Sequence, residues 1–547
     1  MRACRIALLF LGACAAPAAP PVLDWGMVAT PEAHASEVGA AVLREGGNAV
    51  DAAVAVQFAL AVTFPNAGNL GGGGFMLVHS SGGEAAIDYR ETAPAAAHRD
   101  LFLDAKGDVV PGLSLDTAKA AGVPGTVAGM WLAHRKFGSL PWKRLVAPAI
   151  KLADEGWILD RWSAGSFSRE RRNNCPDYFR GAAGSLLLQK ELAGTLRRIA
   201  DGGRDGFYAG ETARLIVEEM KRSGGIISLE DLAAYQAKGR TPIEGAYRGH
   251  RIVSMPPPSS GGVALLQLLN MMEPREIRPL GFHSAAHLHL VAEIEKRVFA
   301  DRTEHLGDPD FHRVPVSRLI SKSYAAERIK DFSPEKRTDP GTIVHGAMPK
   351  ESEQTTHFSI VDKWGNAVAN TTTLNASYGC GLVVRGAGFL LNNEMDDFSS
   401  KPGVPNLFGV IGREANAIAP GKRMLSSMCP TFVFKDGKLR LVLGTPGGPT
   451  IFTTVFQVIV NRIDFGFSLD DAVSHARFHH QWPPLRKESD PIFLEREFPA
   501  DVRDPLAALG YAFQVRGKIG DVQAIELTDR RPSGVSDPRG IGRVLPE

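Results

Sequence analysis

The stretch Thr355-Thr356-His357-Phe358-Ser359-Ile360-Val361-Asp362-Lys363-Trp364-Gly365-Asn366-Ala367 decides how this chain is read. Residues 356–361 carry strand-favouring side chains, 362–366 supply the Asp, Gly and Asn of a hairpin loop, and 367–374 return as the partner strand. What precedes it has no pattern. The run from Ser333 to Gln354 is polar, broken by Pro and Gly, and aperiodic, which predicts an exposed connector. A connector that ends on a threonine has a chemical consequence. An interior threonine hydroxyl is a poor nucleophile, because no base beside it takes its proton. A cut before Thr355 would place an α-amine next to the hydroxyl, and such an amine titrates at about 7.7–8.0. Threonine is also an ordinary strand residue, so spacing alone does not establish the chemistry.

Further strands lie on both sides. Residues 431–435 and 439–443 form a hairpin around Asp436-Gly437, and 75–79 and 85–90 form another around 80–84. Residues 251–255 read as a strand entering Pro256-Pro257-Pro258-Ser259-Ser260-Gly261-Gly262, with a helix beginning near Val263. Toward the N-terminus, helical spacing runs over 35–44 and stops at Gly46-Gly47. Asn48, with Asp51 three residues later, predicts a capping box for an apolar helix reaching about Phe64. Asn69-Leu70-Gly71-Gly72-Gly73-Gly74 predicts a loop where backbones approach closely. Residues 118–234 are mostly helical in pattern, and no repeat recurs at a fixed period.

The 547 residues allow two to four domains or one large interwoven one. Hydrophobic residues at 44% and charged residues at 22% exclude wholesale disorder. A net charge of +2 gives no electrostatic case for binding nucleic acid. Residues 1–19 read as an export signal: Arg2 and Arg5, then an apolar run over 6–13, then small residues and prolines. Leu11-Gly12-Ala13-Cys14 fits a lipobox that would lipidate Cys14, and Ala16-Pro17-Ala18 fits an ordinary signal-peptidase site. No segment is long and apolar enough to span a bilayer. Cys175, Cys380 and Cys429 remain beyond the leader, an odd number that reads as buried thiols.

The quoted stretch resembles the processing site of the γ-glutamyltransferases, a family of N-terminal-nucleophile hydrolases. The likeness continues through Thr373-Leu374-Asn375, Leu391-Asn392-Asn393-Glu394-Met395-Asp396-Asp397-Phe398, Leu425-Ser426-Ser427-Met428 and Gly444-Thr445-Pro446-Gly447-Gly448. Upstream it takes in residues 45–52, 68–74, Asp88-Tyr89-Arg90-Glu91 and 254–262, so it covers essentially everything after the leader.

The resemblance implies an α+β fold, a four-layer αββα sandwich built jointly by a heavy chain, residues 20–354, and a light chain, residues 355–547. Self-cleavage would fall between Gln354 and Thr355. Thr355 would then be the nucleophile, supported by Thr373, with Gly447 and Gly448 as oxyanion donors. Arg90, Ser426 and Ser427 would hold a substrate α-carboxylate, and Asn375, Glu394 and Asp397 its α-ammonium. Residues 399–409 resemble the family's lid loop, with Pro402 and Phe408 in it. The implied substrates are glutathione and other γ-glutamyl compounds, with water or an amino-acid or dipeptide acceptor, in an exported, periplasmic protein. No cofactor is expected. His283, His287, His475, His479 and His480 lack the carboxylate of a metalloprotease motif, and no phosphate-cradling glycine fingerprint is present. The alternatives are a glutaryl or cephalosporin acylase of the same superfamily, or a catalytically silent γ-glutamyl-binding protein.

Overall fold

Strand alternation shows how the molecule is layered. In the strand Gly73–Ser80, Met76 and Val78 join one apolar cluster while Phe75 and Leu77 join another. The same split separates Val28 from Met27 and Ala29 in the strand Met27–Thr30. Both faces of these strands are therefore buried, which requires a layer on each side. The computed structural model describes residues 22–340, 355–401, 404, 406–407, 412–482 and 490–547.

One sheet has seven strands, in the order Arg543–Pro546, Met27–Thr30, Thr356–Val361, Ala367–Thr373, Gly73–Ser80, Gly83–Asp88 and Lys238–Arg240. The second has six: Arg531–Ser536, Gln523–Thr528, Lys438–Gly444, Thr431–Lys435, His250–Ser254 and Ile243–Tyr247. All neighbouring pairs in both sheets are antiparallel. The sheets face each other through Thr356–Val361 and Ala367–Thr373 on one side and Lys438–Gly444 and Gln523–Thr528 on the other. Helices Ala33–Arg44 and Ala49–Thr63 cover the seven-stranded sheet, and Gly261–Met272 and Thr450–Ile463 cover the six-stranded one. This is the expected four-layer αββα sandwich.

Local chemistry explains the elements nearest the site. Asn48 accepts from the N–H groups of Val50 and Asp51, both at 2.9 Å, while its own N–H donates to Asp51 at 3.0 Å. The expected capping box thus opens Ala49–Thr63, a helix buried along its whole length. A Cβ on Gly72 would meet the carbonyl of Thr373 at 2.1 Å, and one on Gly74 the carbonyl of Thr371 at 2.3 Å. The expected loop is shorter than predicted: Gly73 and Gly74 already belong to the strand Gly73–Ser80, and their lack of a side chain permits this close pairing with Ala367–Thr373.

The connector departs from expectation at its start. Thr338 N–H donates to Glu293, its carbonyl accepts from Lys296, and Trp482 donates to the carbonyl of Pro340. Thr338 is held against buried charge and Pro340 is buried, while Asp339 between them stays exposed. Residues 341–354 lie outside the described residues, as do the expected leader, residues 1–19, and Cys14.

Candidate active site

Thr355 stands at the junction of two cavities, immediately before the strand Thr356–Val361. The inner cavity is lined by Thr355, Thr373, Asn375, Arg90, Glu394, Asp397, Ser426, Ser427 and Gly448. Gly447 lines the outer cleft beside Thr355. Residues separated by hundreds of positions in sequence therefore line cavities that share Thr355. Gln354, Pro402 and Phe408 lie outside the described residues.

Each element positions its contribution for a physical reason. Gly447 and Gly448 adopt φ of +136° and +53°, values that favour glycine, and they precede the helix Thr450–Ile463. They lie just before the N-cap Pro449, and their carbonyls accept the N–H groups of Thr450 at 3.0 Å and Ile451 at 3.2 Å. Thr373 ends its strand and accepts the N–H of Asn375 at 2.7 Å. Asn375 in turn donates to the carbonyl of Asn393 at 2.9 Å, tying the strand end to the turn Glu394–Asp397. The Ser426-Ser427 loop is buttressed by the proline-serine motif. Ser260 N–H donates to the Ser426 carbonyl at 2.7 Å, and Ser426 N–H donates to the Pro258 carbonyl at 3.0 Å.

The charges are concentrated and buried. Arg90 is 1% exposed and donates to both Glu394 and Asp397, with the carbonyls of Met424 at 3.2 Å and Leu425 at 3.3 Å completing its partners. Sequence reasoning places Arg90 at one end of a zwitterion and the two acids at the other; here they contact one another directly. Burial raises the Glu394 carboxyl well above its usual range, with the neighbouring Glu91 adding to the effect and Arg90 opposing it. Burial also lifts the Asp397 carboxyl, against the pull of Arg90. Asn406 donates to Asp397 at 3.2 Å, and Leu407 N–H donates to Asp396 at 2.8 Å, so the described part of residues 399–409 rests on this acidic turn.

A family profile described as gamma-glutamyltranspeptidase matches residues 35–546. The chain belongs to this family. It is 49% identical over 545 residues to the glutathione hydrolase proenzyme of Pseudomonas aeruginosa, covering 97% of this chain and 96% of that protein. It is 47% identical to the glutathione hydrolase proenzyme of Escherichia coli K12, covering 99% and 98%. Among solved structures, the cephalosporin acylase of Bacillus halodurans superposes with a TM-score of 0.81 at 27% identity, covering 98% of this chain and 99% of that one. The gamma-glutamyltranspeptidase of Pseudomonas nitroreducens complexed with L-DON gives a TM-score of 0.56 at 47% identity, covering 58% and 97%.

Within this gamma-glutamyltranspeptidase fold, two features escape sequence reasoning. The first is Arg302, which lines the inner cavity from the helix Ala285–His305. That helix is dense in charge, which in sequence reads as a solvated face, yet nearly all of it is buried. The second is the outer cleft of about 460 Å³, with Glu170, Tyr378, Lys518 and Asp521 in its wall. The remaining candidate residues have structural partners. His480 meets Asp490 at 2.7 Å and His479 meets Thr453 at 3.0 Å. Among the described residues no group of three His, Cys, Asp or Glu could hold a metal ion. Cys175, Cys380 and Cys429 are free and buried, and desolvation raises all three thiols, Cys380 and Cys429 to about 11. No helix among the described residues is long and apolar enough to cross a membrane.

Proposed function

We propose that the protein is a self-processing γ-glutamyltransferase that cleaves glutathione and related γ-glutamyl compounds. The observation that carries this reading is Thr355 at the meeting point of a charged inner cavity and an open outer cleft. In maturation the Thr355 hydroxyl attacks the carbonyl of Gln354, the peptide becomes an ester, and water releases residues 20–354 as a heavy chain and 355–547 as a light chain. The freed α-amine is then the base for the same hydroxyl. Proenzyme status in the Pseudomonas aeruginosa and Escherichia coli relatives supports this step.

In catalysis Thr355 Oγ attacks the γ-carbonyl and the amine leaving group departs into the outer cleft. The γ-glutamyl ester left behind is resolved by water or by an amino-acid or dipeptide acceptor. Thr373 supports the nucleophile. The N–H groups of Gly447 and Gly448 receive the oxyanion, a contribution of about 3–4 kcal/mol per donor in comparable sites. Arg90, Ser426 and Ser427 take the substrate α-carboxylate, and Asn375, Glu394 and Asp397 its α-ammonium. The segment with Pro402, Asn406 and Phe408 acts as the lid. The acylase relatives raise a second reading, a glutaryl amide donor. The presence of Asn375, Glu394 and Asp397, which we assign to an α-ammonium, speaks against it, because glutarate has none. We place the mature protein in the periplasm, exported by residues 1–19, with lipidation at Cys14 or secretion as other routes.

The test is a denaturing gel with N-terminal sequencing, followed by assay on glutathione and its des-amino analogue. Wild type yields a light chain beginning Thr-Thr-His-Phe, and Thr355→Ala yields none and no turnover. Wild type prefers glutathione to the analogue by about 100-fold or more, since the analogue leaves buried acceptors unpaired. An intact wild-type chain, or equal rates on both donors, refutes the reading.

A further inference from the structure

The described chain buries five arginines: Arg90, Arg297, Arg302, Arg423 and Arg477. Four of them meet a carboxylate within ion-pair distance: Arg90 with Glu394, Arg297 with Glu293, Arg423 with Asp88 and Arg477 with Asp537. Arg302, 6% exposed, meets none. Its partners are two hydroxyls: Nε donates to Ser260 Oγ at 2.9 Å and Nη2 to Ser427 Oγ at 3.1 Å. Desolvation accordingly pulls its guanidinium down to about 10, with only the more distant Asp397 opposing the effect. A buried cation without a counter-ion costs free energy unless an anion arrives to pair with it. The inner cavity is where that anion can arrive, because Arg302 lines it together with Ser427 and Thr355.

Hydrogen-bond roles sharpen the point. Ser427 Oγ accepts from Arg302, so its own proton remains to be donated. Ser426 Oγ accepts the N–H of Met428 at 3.1 Å and is left in the same state. Both hydroxyls are therefore set as donors beside an unpaired cation. Arg90, in contrast, spends four of its five N–H donors on two carboxylates and two carbonyls, leaving one on Nη1 for a substrate.

We propose that Arg302, acting with Ser427, is a specificity-determining residue that supplies a second cationic contact to the donor's α-carboxylate. The assignment rests on the γ-glutamyltransferase reading and adds to it a residue outside the motifs. A structural arginine would brace the serine loop equally for every donor; a carboxylate-reading arginine matters only when the carboxylate is present.

Steady-state kinetics on γ-glutamyl p-nitroanilide and on its decarboxylated analogue, 4-aminobutyryl p-nitroanilide, separate the two. Arg302→Gln raises KM for the carboxylated donor by about 10- to 100-fold, the scale of a lost charged hydrogen bond, and leaves the analogue within about twofold. Arg302→Lys retains the charge and recovers most of the preference. Self-cleavage on a gel reports folding, and if Arg302→Gln fails to cleave, the lysine variant carries the comparison, with a preference for the carboxylated donor partly reduced from that of wild type. Equal losses on both donors, or an unchanged preference in a variant that self-cleaves, overturn the assignment. Wild type inactive on both donors refutes the γ-glutamyltransferase reading itself, a result visible before any variant is measured.

Discussion

Glu91 lies 3.6 Å from Arg90, fully buried, and its two carboxylate oxygens have no hydrogen-bond partner beyond its own backbone. Burial pushes its carboxyl up to about 8, against the pull of Arg90 and with help from Asp397 and Asp88. The folded protein thus keeps a proton that the unfolded chain loses near 4.5. Its contribution to stability is full below that value and is lost as pH rises through about 8. Glu91→Gln removes this dependence. In thermal melts from pH 5 to 8.5 the wild type loses stability relative to the variant, by about 2 °C or more at the alkaline end. Parallel curves would show that Glu91 is ionised in the fold.

At the scale of elements, the helix Ala285–His305 joins parts of the chain that would separate on cleavage before Thr355. Lys296, fully buried, donates to Glu293 at 2.9 Å, to Asp490 at 2.9 Å and to the Thr338 carbonyl at 2.9 Å. Asp490 begins the strand Asp490–Leu494 and also meets His480 and Arg337; His480 and Lys296 hold its carboxyl well below the usual range against the effect of burial. Breaking such a cluster strands uncompensated charge. Lys296→Met destabilises by about 3–5 kcal/mol, measured as loss of unfolding free energy. The exposed Lys151, 3.9 Å from Glu155 on the helix Trp142–Glu155, is the control, and its replacement by Met leaves the melt unchanged. A small effect of Lys296→Met would show that the cluster is bypassed by water.

At the scale of the whole molecule, the proposed heavy and light chains interleave in both sheets. In the seven-stranded sheet Met27–Thr30 sits between Arg543–Pro546 and Thr356–Val361, so a strand from before the cut is flanked by two from after it. In the six-stranded sheet Thr431–Lys435 pairs with His250–Ser254 across the same divide. One cut in the connector breaks none of these ladders. The cleaved protein therefore keeps the hydrodynamic size of the intact chain on a sizing column and separates only in denaturant. Dissociation under native conditions would contradict this topology.

Much of this was legible in short windows. The hairpin at 356–374, the capping box at Asn48, the close backbone approach at the glycines of 71–74 and the hairpin at Asp436-Gly437 follow from propensity and turn chemistry, which act over a few residues. The proposed nucleophile and most of the residues that share its cavity were legible because the motifs that carry them are contiguous and ordered. Arg302 was not, because a charged helix and a buried one differ only in what packs around them. The same holds for the docked start of the connector, whose polarity suggested solvent until Lys296 and Glu293 met Thr338. By itself, then, the sequence determined the elements, the family resemblance and the candidate chemistry at Thr355, since these depend on local pattern. Only the tertiary structure decided which charges share one buried cavity, because burial and pairing depend on residues hundreds of positions apart.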